Sequence, residues 1–285
     1  MTRINSPTFG ADIEYFIQTV KGELFPAIGL IGGSKAEPKP MGDGYFVQED
    51  NVAVEFNIPI CKTPREWVKA VELGFIKSRG RLPPTFYSKE GASGIFAAEY
   101  LDSPEARTFG CEPDINAWTR RVNPRPQASN PLLRSCGGHV HIGWEKPDLD
   151  TRFELIKACD VFVSLPSLLE DRDTERRKLY GKAGACRIKD YGVEHRVLSN
   201  YWLFNSQQAT TVITRYTTAI EFINKGLTID EGDNAEIIAA INESNVDQGI
   251  KFWNKYKQKL DIPSVEAKRG AKKALNWNTS YTIGP

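Results

Sequence analysis

Apolar and polar positions alternate along residues 8–18, TFGADIEYFIQ, and again along 46–59, FVQEDNVAVEFNIP. A period of two is the signature of a strand with one buried face. The acidic tip Glu49-Asp50-Asn51 inside the second run is placed as a hairpin turn. Between the runs, residues 22–44 carry many Gly and Pro and form a loop, with room for a short strand at 27–31. At 63–66, Thr63 can cap a helix, Pro64 suits its first turn and Glu66 closes a capping box; the helix runs to about Arg79 and stops at Gly80. Residues 102–131 are irregular and read as a long loop, the kind that often carries function. GGHVHIG (137–143) and YGVEHRVLS (191–199) are further strands, and 151–169 is a helix. Three helical patterns follow at about 205–225, 233–244 and 247–260, before a basic tail. Strands dominate early and helices late, with no regular β-α-β alternation. The expectation is an α+β fold on an antiparallel sheet. It is taken as one domain over 1–285, with a mainly helical C-terminal third at about 205–262.

The strands share a second pattern. The chain has only three histidines, and His139 and His141 sit one residue apart. Residues i and i+2 of a strand point to the same face. The same spacing joins Asp12 to Glu14 and Glu194 to Arg196, and Glu55 stands among apolar neighbours. Each motif alone also fits a solvated strand face or a plain ion pair. If all the faces line one concavity, the carboxylates repel one another and lose hydration, so positive charge must compensate. Arg196 balances one acid, and divalent metals would balance the rest. Oxygen donors with an occasional imidazole suit Mg²⁺ or Mn²⁺, whereas zinc would take more His or Cys.

Bulk composition narrows the class. The 285 residues are 40% hydrophobic and 26% charged, as in a globular protein, and the net charge of +1 offers no field for nucleic acid or a membrane surface. No apolar run is long enough to span a bilayer, and no signal-peptide pattern stands at the N-terminus. The five cysteines have no C-x-x-C spacing and read as reduced thiols, which places the protein in the cytoplasm. Neither G-x-G-x-x-G after a strand nor G-x-x-x-x-G-K-[ST] is present.

The ordered set Asp-x-Glu, Glu-Phe-x-x-Pro, Gly-Gly-His-x-His-x-Gly and Gly-x-Glu-x-Arg, spread over about 8–200, resembles the carboxylate–amine ligases, relatives of glutamine synthetase and glutamate–cysteine ligase. The phage-encoded COOH–NH2 ligase branch is the nearest likeness, and FGCEPDINAW (109–118) shares it. The resemblance implies a glutamine synthetase-like curved antiparallel sheet flanked by helices, holding ATP and two or three Mg²⁺ or Mn²⁺ ions. By the same likeness, Glu14, His139 and Glu194 would hold the ion bridging the nucleotide phosphates, and Asp12 and Glu55 the ion on the substrate side. Arg196 would lie beside the transferred phosphoryl group and His141 near nucleotide or substrate. Arg177, Lys182 and Arg187 are candidates for phosphate contact. Asp12 is one methylene shorter than the Glu of many relatives, and Glu49 and Asp50 compete for a further acidic position.

The implied reaction passes the γ-phosphoryl of ATP to a carboxylate and then lets an amine displace phosphate. Asp114, in the long loop, is the candidate acceptor of the amine proton. Small-molecule or peptide carboxylate and amine substrates are expected, in a host cytoplasm if the gene is phage-borne, with homo-oligomers open. Three other readings remain: an ATP-dependent kinase of the same fold, a metal-dependent hydrolase built on His139 and His141 with only His195 left to help, and a non-catalytic binding protein.

Overall fold

A computed structural model describes residues 2–107, 114–124 and 130–262. Thirteen strands are defined among these residues. In chain order they are β1 (Thr8–Thr19), β2 (Leu24–Phe25), β3 (Lys39–Gly42), β4 (Tyr45–Asp50), β5 (Ala53–Asn57), β6 (Phe86–Lys89), β7 (Ser93–Ile95), β8 (Ile115–Asn116), β9 (Arg121–Val122), β10 (Leu133–Ser135), β11 (Gly138–Gly143), β12 (Ala185–Lys189) and β13 (Gly192–His195). The helices are α1 (Pro64–Arg79), α2 (Pro104–Arg107), α3 (Leu149–Cys159), α4 (Leu165–Ser167), α5 (Glu175–Leu179), α6 (Ser206–Asn224), α7 (Asn234–Asn242) and α8 (Val246–Gln258).

The main sheet runs β3-β4-β5-β1-β11-β13-β12-β8-β9, with β2 and β6 also on β1, and its pairings are antiparallel. This is the α+β class expected. β1 organises it. Its first half pairs with β11 and β5, and its second half with β2 and β6. Register sorts the side chains into two faces. Ile13, Tyr15, Val47, Val54, Phe56, Val140, Ile142 and Val193 form an apolar face that joins one buried core with the helices. Helix α1 packs on β1 and β5, α3 packs on β13, and α6 packs on both helices. Trp67 of α1 is fully buried, donates Nε1–H to the Gly10 carbonyl at 3.2 Å and packs at a tilt against Trp202, with ring centroids 5.0 Å apart. With the core helices on that face, the opposite one is left to polar groups.

Helix α1 starts as expected, with the Thr63 hydroxyl accepting from the Glu66 N–H at 3.2 Å. The Glu66 carboxylate closes on the Lys62 N–H at 2.8 Å, one residue before the cap, so the capping box is displaced by one position. The strand at 27–31 does not form. Residues 28–30 turn instead, and the short strand lies at 24–25. The 151–169 helix is interrupted by a π-turn at Asp160–Ser164. The loop 102–131 contains α2, β8 and β9, and the basic stretch 173–189 contains α5 and β12, all too short to show a period. The basic tail lies outside the described residues.

Candidate functional site

The i, i+2 pairs do land on one face. Across β1, Asp12 is opposite His139 and Asn57, and Glu14 is opposite Glu55. His141 is opposite Glu194, and Glu194 opposite Arg187. Arg196 follows β13, two residues beyond Glu194. The face lines an open cleft of about 590 Å³ whose walls include Asp12, Glu14, Asp50, Glu55, His139 and Arg196, with Lys35, Arg187 and Lys189 around them. That volume is in the range of small-molecule sites.

The glycines of GGHVHIG make room for this packing. A Cβ on Gly137 would lie 2.3 Å from His139 Nε2, and one on Gly138 would meet the Ser199 carbonyl at 2.6 Å and the Trp202 indole at 2.8 Å. Any side chain there would push His139 or the strand out of place.

The donors divide into two groups, each with ligand atoms within 4.8 Å of one another: Asp12 with His141 and Glu194, and Glu14 with Asp50 and Glu55. The partition implied by resemblance joined Glu14 to His139 and Glu194, and Asp12 to Glu55; His139 enters neither group, with its Nδ1 3.6 Å from Glu194 Oε1, and the other donors are grouped differently. Register is the reason. His141 and Glu194 are cross-strand partners, as are Glu14 and Glu55.

The groups differ in charge. The first is balanced by His141 and by the cations around Glu194. Asp12 accepts from Asn57 Nδ2 at 2.6 Å and meets His141 Nε2 at 3.0 Å. Burial pushes the Asp12 carboxyl up, but the imidazole outweighs it and the group settles at about 2. His141 moves up in turn: burial opposes its charge, and Asp12 overcomes that. Glu194 is fully buried, contacts Arg196 Nη1, and has Lys189 at 3.4 Å and Arg187 at 3.5 Å. These cations outweigh burial and hold its carboxyl below the usual range. His139 is held well below the usual imidazole range by burial and then by Arg196, and its Nδ1 lies 3.1 Å from Arg196 Nη1.

The second group is not balanced. Asp50 meets Lys35 at 2.8 Å, and Glu14 accepts the Gly137 N–H at 2.7 Å. Burial and the Asp50 charge push Glu14 up to about 7. Glu55 is driven well above the carboxylate range by burial, then by Asp50, Asp12 and Glu14, and its buried Oε2 has no hydrogen-bond partner. Three oxygen-donor carboxylates, two of them buried, with one orphaned oxygen fit a hard divalent cation such as Mg²⁺ or Mn²⁺.

The other expected residues fare differently. Of the two acids left open, Asp50 lies in the acidic group, and Glu49 points to the opposite face. There the Glu49 carboxylate accepts N–H groups of Gly29 at 2.9 Å and Ile31 at 3.0 Å, holding a tight turn. Arg177 is not at the cleft. It is buried against Asp171 at 3.2 Å and reaches Ser167 and Ser244. Lys182 is half-buried and outside the cleft lining. Arg187 lines it. Asp114 accepts from Arg196 Nε at 2.6 Å, and burial raises its carboxyl despite that contact. Residues 109–113 of the 109–118 motif lie outside the described residues. Lys35, Lys189 and Asn57 were missed. Lys189 and Asn57 carry a visible signal, each standing two residues beyond a chosen strand position, whereas Lys35 sits on a loop.

A family model described as phage phiEco32-like COOH.NH2 ligase-type 2 matches residues 128–272. The chain belongs to this family. The match includes the C-terminal helices, where no motif stood out, and it begins after Asp12, Glu14, Asp50 and Glu55. Within it the family segment brings His139, His141, Glu194 and Arg196. Among solved structures, a bifunctional glutathione synthetase from Pasteurella multocida is similar at 10% identity and a TM-score of 0.42, over 91% of this chain and 47% of that one. A novel glutamine synthase homolog is similar at 12% identity and a TM-score of 0.38, over 90% of this chain and 66% of that one. The chain thus spans about half the length of the first. No curated protein matches. Among the described residues, no helix is long and apolar enough to cross a membrane.

Proposed function

We propose that the chain is an ATP-dependent carboxylate–amine ligase working through an acyl phosphate, as an intracellular enzyme on small-molecule or peptide substrates. Besides family membership, one observation carries this reading: an under-neutralised acidic group, Glu14, Asp50 and Glu55, shares one cleft with a cationic wall of Arg187, Lys189 and Arg196. A polyphosphate with its divalent ions complements both halves.

Glu14, Asp50 and Glu55 would hold the first Mg²⁺ or Mn²⁺, and Asp12, His141 and Glu194 a further one. Bound there, such ions supply charge neutralisation on phosphoryl oxygens. The remaining work falls to the side chains. Arg187, Lys189 and Arg196 orient the phosphates and stabilise charge on the equatorial oxygens. A substrate carboxylate oxygen attacks the γ-phosphorus, and the bond to the bridging oxygen breaks with its electron pair leaving on ADP. A neutral amine then attacks the acyl carbon, and phosphate departs. Asp114, whose carboxyl is raised by burial and lies at Arg196, would take the amine proton.

The test is thermal shift with a non-hydrolysable ATP analogue, with and without Mg²⁺ or Mn²⁺, followed by amine-dependent phosphate release from ATP. A shift that needs nucleotide and metal together supports a ligase or a kinase, and amine dependence separates them. Metal alone giving the full shift moves the reading to a hydrolase. No response to either removes the enzymatic reading.

A further inference from the structure

A second, smaller cavity of about 50 Å³ shares Glu14, Asp50, His139 and Arg196 with the main cleft. Its remaining wall is part apolar, from Phe16, Val52 and Ala53, and part basic, from Arg134 and Arg176. The acids in that wall are engaged. Asp114 meets Arg196, Asp50 meets Lys35, and Glu14 accepts the Gly137 N–H. Arg134 donates to the carbonyls of Ala106, Pro131 and Leu133.

Arg176 stands apart. It is 2% exposed, and its Nη1 donates to the Val197 carbonyl at 2.8 Å and its Nη2 to the Arg196 carbonyl at 3.4 Å. Its buried Nε has no hydrogen-bond partner, and no carboxylate of the described residues lies within ion-pair distance of it. Glu14 and Asp171 act on it only from further away. A buried ion without a counter-ion is expensive, and a bound anion would remove that cost.

We propose that this cavity binds a short aliphatic carboxylic acid, with its carboxylate drawn by Arg176 and Arg196 and its stem against Phe16, Val52 and Ala53. If the ligase reading holds, this acid is the acceptor, since the cavity shares its wall with the cleft assigned to the γ-phosphate. A carboxylate fits better than a phosphate for two reasons. One guanidinium with no carboxylate partner among the described residues matches one negative charge, and the neighbouring Glu14 and Asp50 would repel a dianion. The volume also suits a small group, on the order of a few water molecules. Arg176 is thereby a specificity-determining residue for the acid.

The experiment is isothermal titration of the full chain, without nucleotide, with acetate, propionate, succinate and inorganic phosphate at matched ionic strength. The variants are Arg176→Lys and Ser135→Leu, the second narrowing the cavity from a half-buried position while leaving the arginines in place. Binding of at least one carboxylate, weakened tenfold or more by each folded variant, supports the proposal. If Arg176→Lys does not fold, Ser135→Leu decides. No carboxylate binding, binding untouched by Ser135→Leu, or tighter binding of phosphate than of any carboxylate overturns it. The nucleotide and metal titration run in parallel keeps the two readings separate. A nucleotide response without a carboxylate response removes this cavity's role alone, and the reverse removes the ligase and leaves the acid site standing.

Discussion

Arg196 donates through Nε to Asp114 and through Nη1 to Glu194, so one guanidinium ties the long loop to the end of β13. The same group lies at 3.1 Å from His139 and lines both cavities. A lysine keeps the charge but has no fork with which to hold two carboxylates. Arg196→Lys should therefore lower amine-dependent phosphate release by about 100-fold or more, the loss typical of a charge clamp on phosphoryl transfer. Initial rates at saturating ATP and Mg²⁺ measure this, and near-native turnover would remove Arg196 from the transition state.

Glu55 predicts a trade between stability and metal binding. It faces Glu14 directly across the β1–β5 pair, and like charges opposite one another destabilise a sheet. Glu55→Gln keeps the shape and removes one ionisable carboxyl from a group of three, two of them buried. The metal-free variant should melt no lower than the parent at pH 8, while its Mn²⁺-dependent rise in Tm should fall sharply. A variant that loses stability yet keeps the full Mn²⁺ response would contradict the site.

What the bare sequence reveals here follows from the period of a strand. Asp12 with Glu14, and His139 with His141, share a face in any strand, so the polar face and its members were legible without coordinates. How the donors group was not, because grouping depends on which residue lies opposite which, as with Glu14 and Glu55 or His141 and Glu194. Helix α5 shows the complementary failure. At five residues it has no period to read, so neighbouring Arg176 and Arg177 could not be assigned to faces: Arg176 lines the smaller cavity, and Arg177 is buried against Asp171. Asp50 was separable from Glu49 only once the β4–β5 register was known.

Arg177 is accordingly expected to behave as a structural residue. Its pair with Asp171 is buried on both sides, at 5% and 4% side-chain exposure. Breaking one partner of such a pair typically costs about 3–5 kcal/mol, because the other charge stays behind. Arg177→Met should show that loss in urea unfolding, while Asp171→Leu/Arg177→Met together should recover much of it. KM for ATP in the double variant should match the parent, and a large rise would return Arg177 to the phosphate site.

Acid sensitivity should depend on Asp148, the N-cap of α3. Its carboxylate accepts from Thr151 N–H at 2.9 Å, Thr151 Oγ1 at 2.6 Å and Thr2 N–H at 3.3 Å. Burial opposes ionisation, but these donors together outweigh it and hold the carboxyl well below its usual range. A depressed carboxyl stabilises the fold above its unfolded pKa of ~3.9, and the contribution fades as pH falls toward the folded value. Asp148→Asn should be less stable than the parent at pH 6, and the gap should close below about pH 4. A gap constant from pH 6 to pH 3 would show that the cap acts through shape and not charge.

Asp160 links the buried side of the sheet to the cleft. It sits at the start of the π-turn after α3, fully buried, where its Oδ2 accepts from Trp118 Nε1 and the Gly184 N–H, both at 2.6 Å. Its Oδ1 accepts from Ser164 at 3.0 Å and lies 3.5 Å from His195, whose Nδ1 meets the Tyr216 hydroxyl at 2.7 Å. Trp118 lies four residues after Asp114, Gly184 immediately precedes β12 with its Arg187 and Lys189, and His195 stands between Glu194 and Arg196. One carboxylate thus joins three segments that carry residues of the two cavities, through the Trp118 and His195 side chains and the Gly184 backbone. An asparagine has the same shape, but its amide can accept on only one side, leaving buried donors facing an NH2 group. Asp160→Asn should cost on the order of 3 kcal/mol in urea unfolding and move Trp118 emission. It should also weaken binding of the nucleotide analogue, although Asp160 touches nothing in the cleft. An unfolding midpoint equal to the parent's would show that these segments hold their places without it.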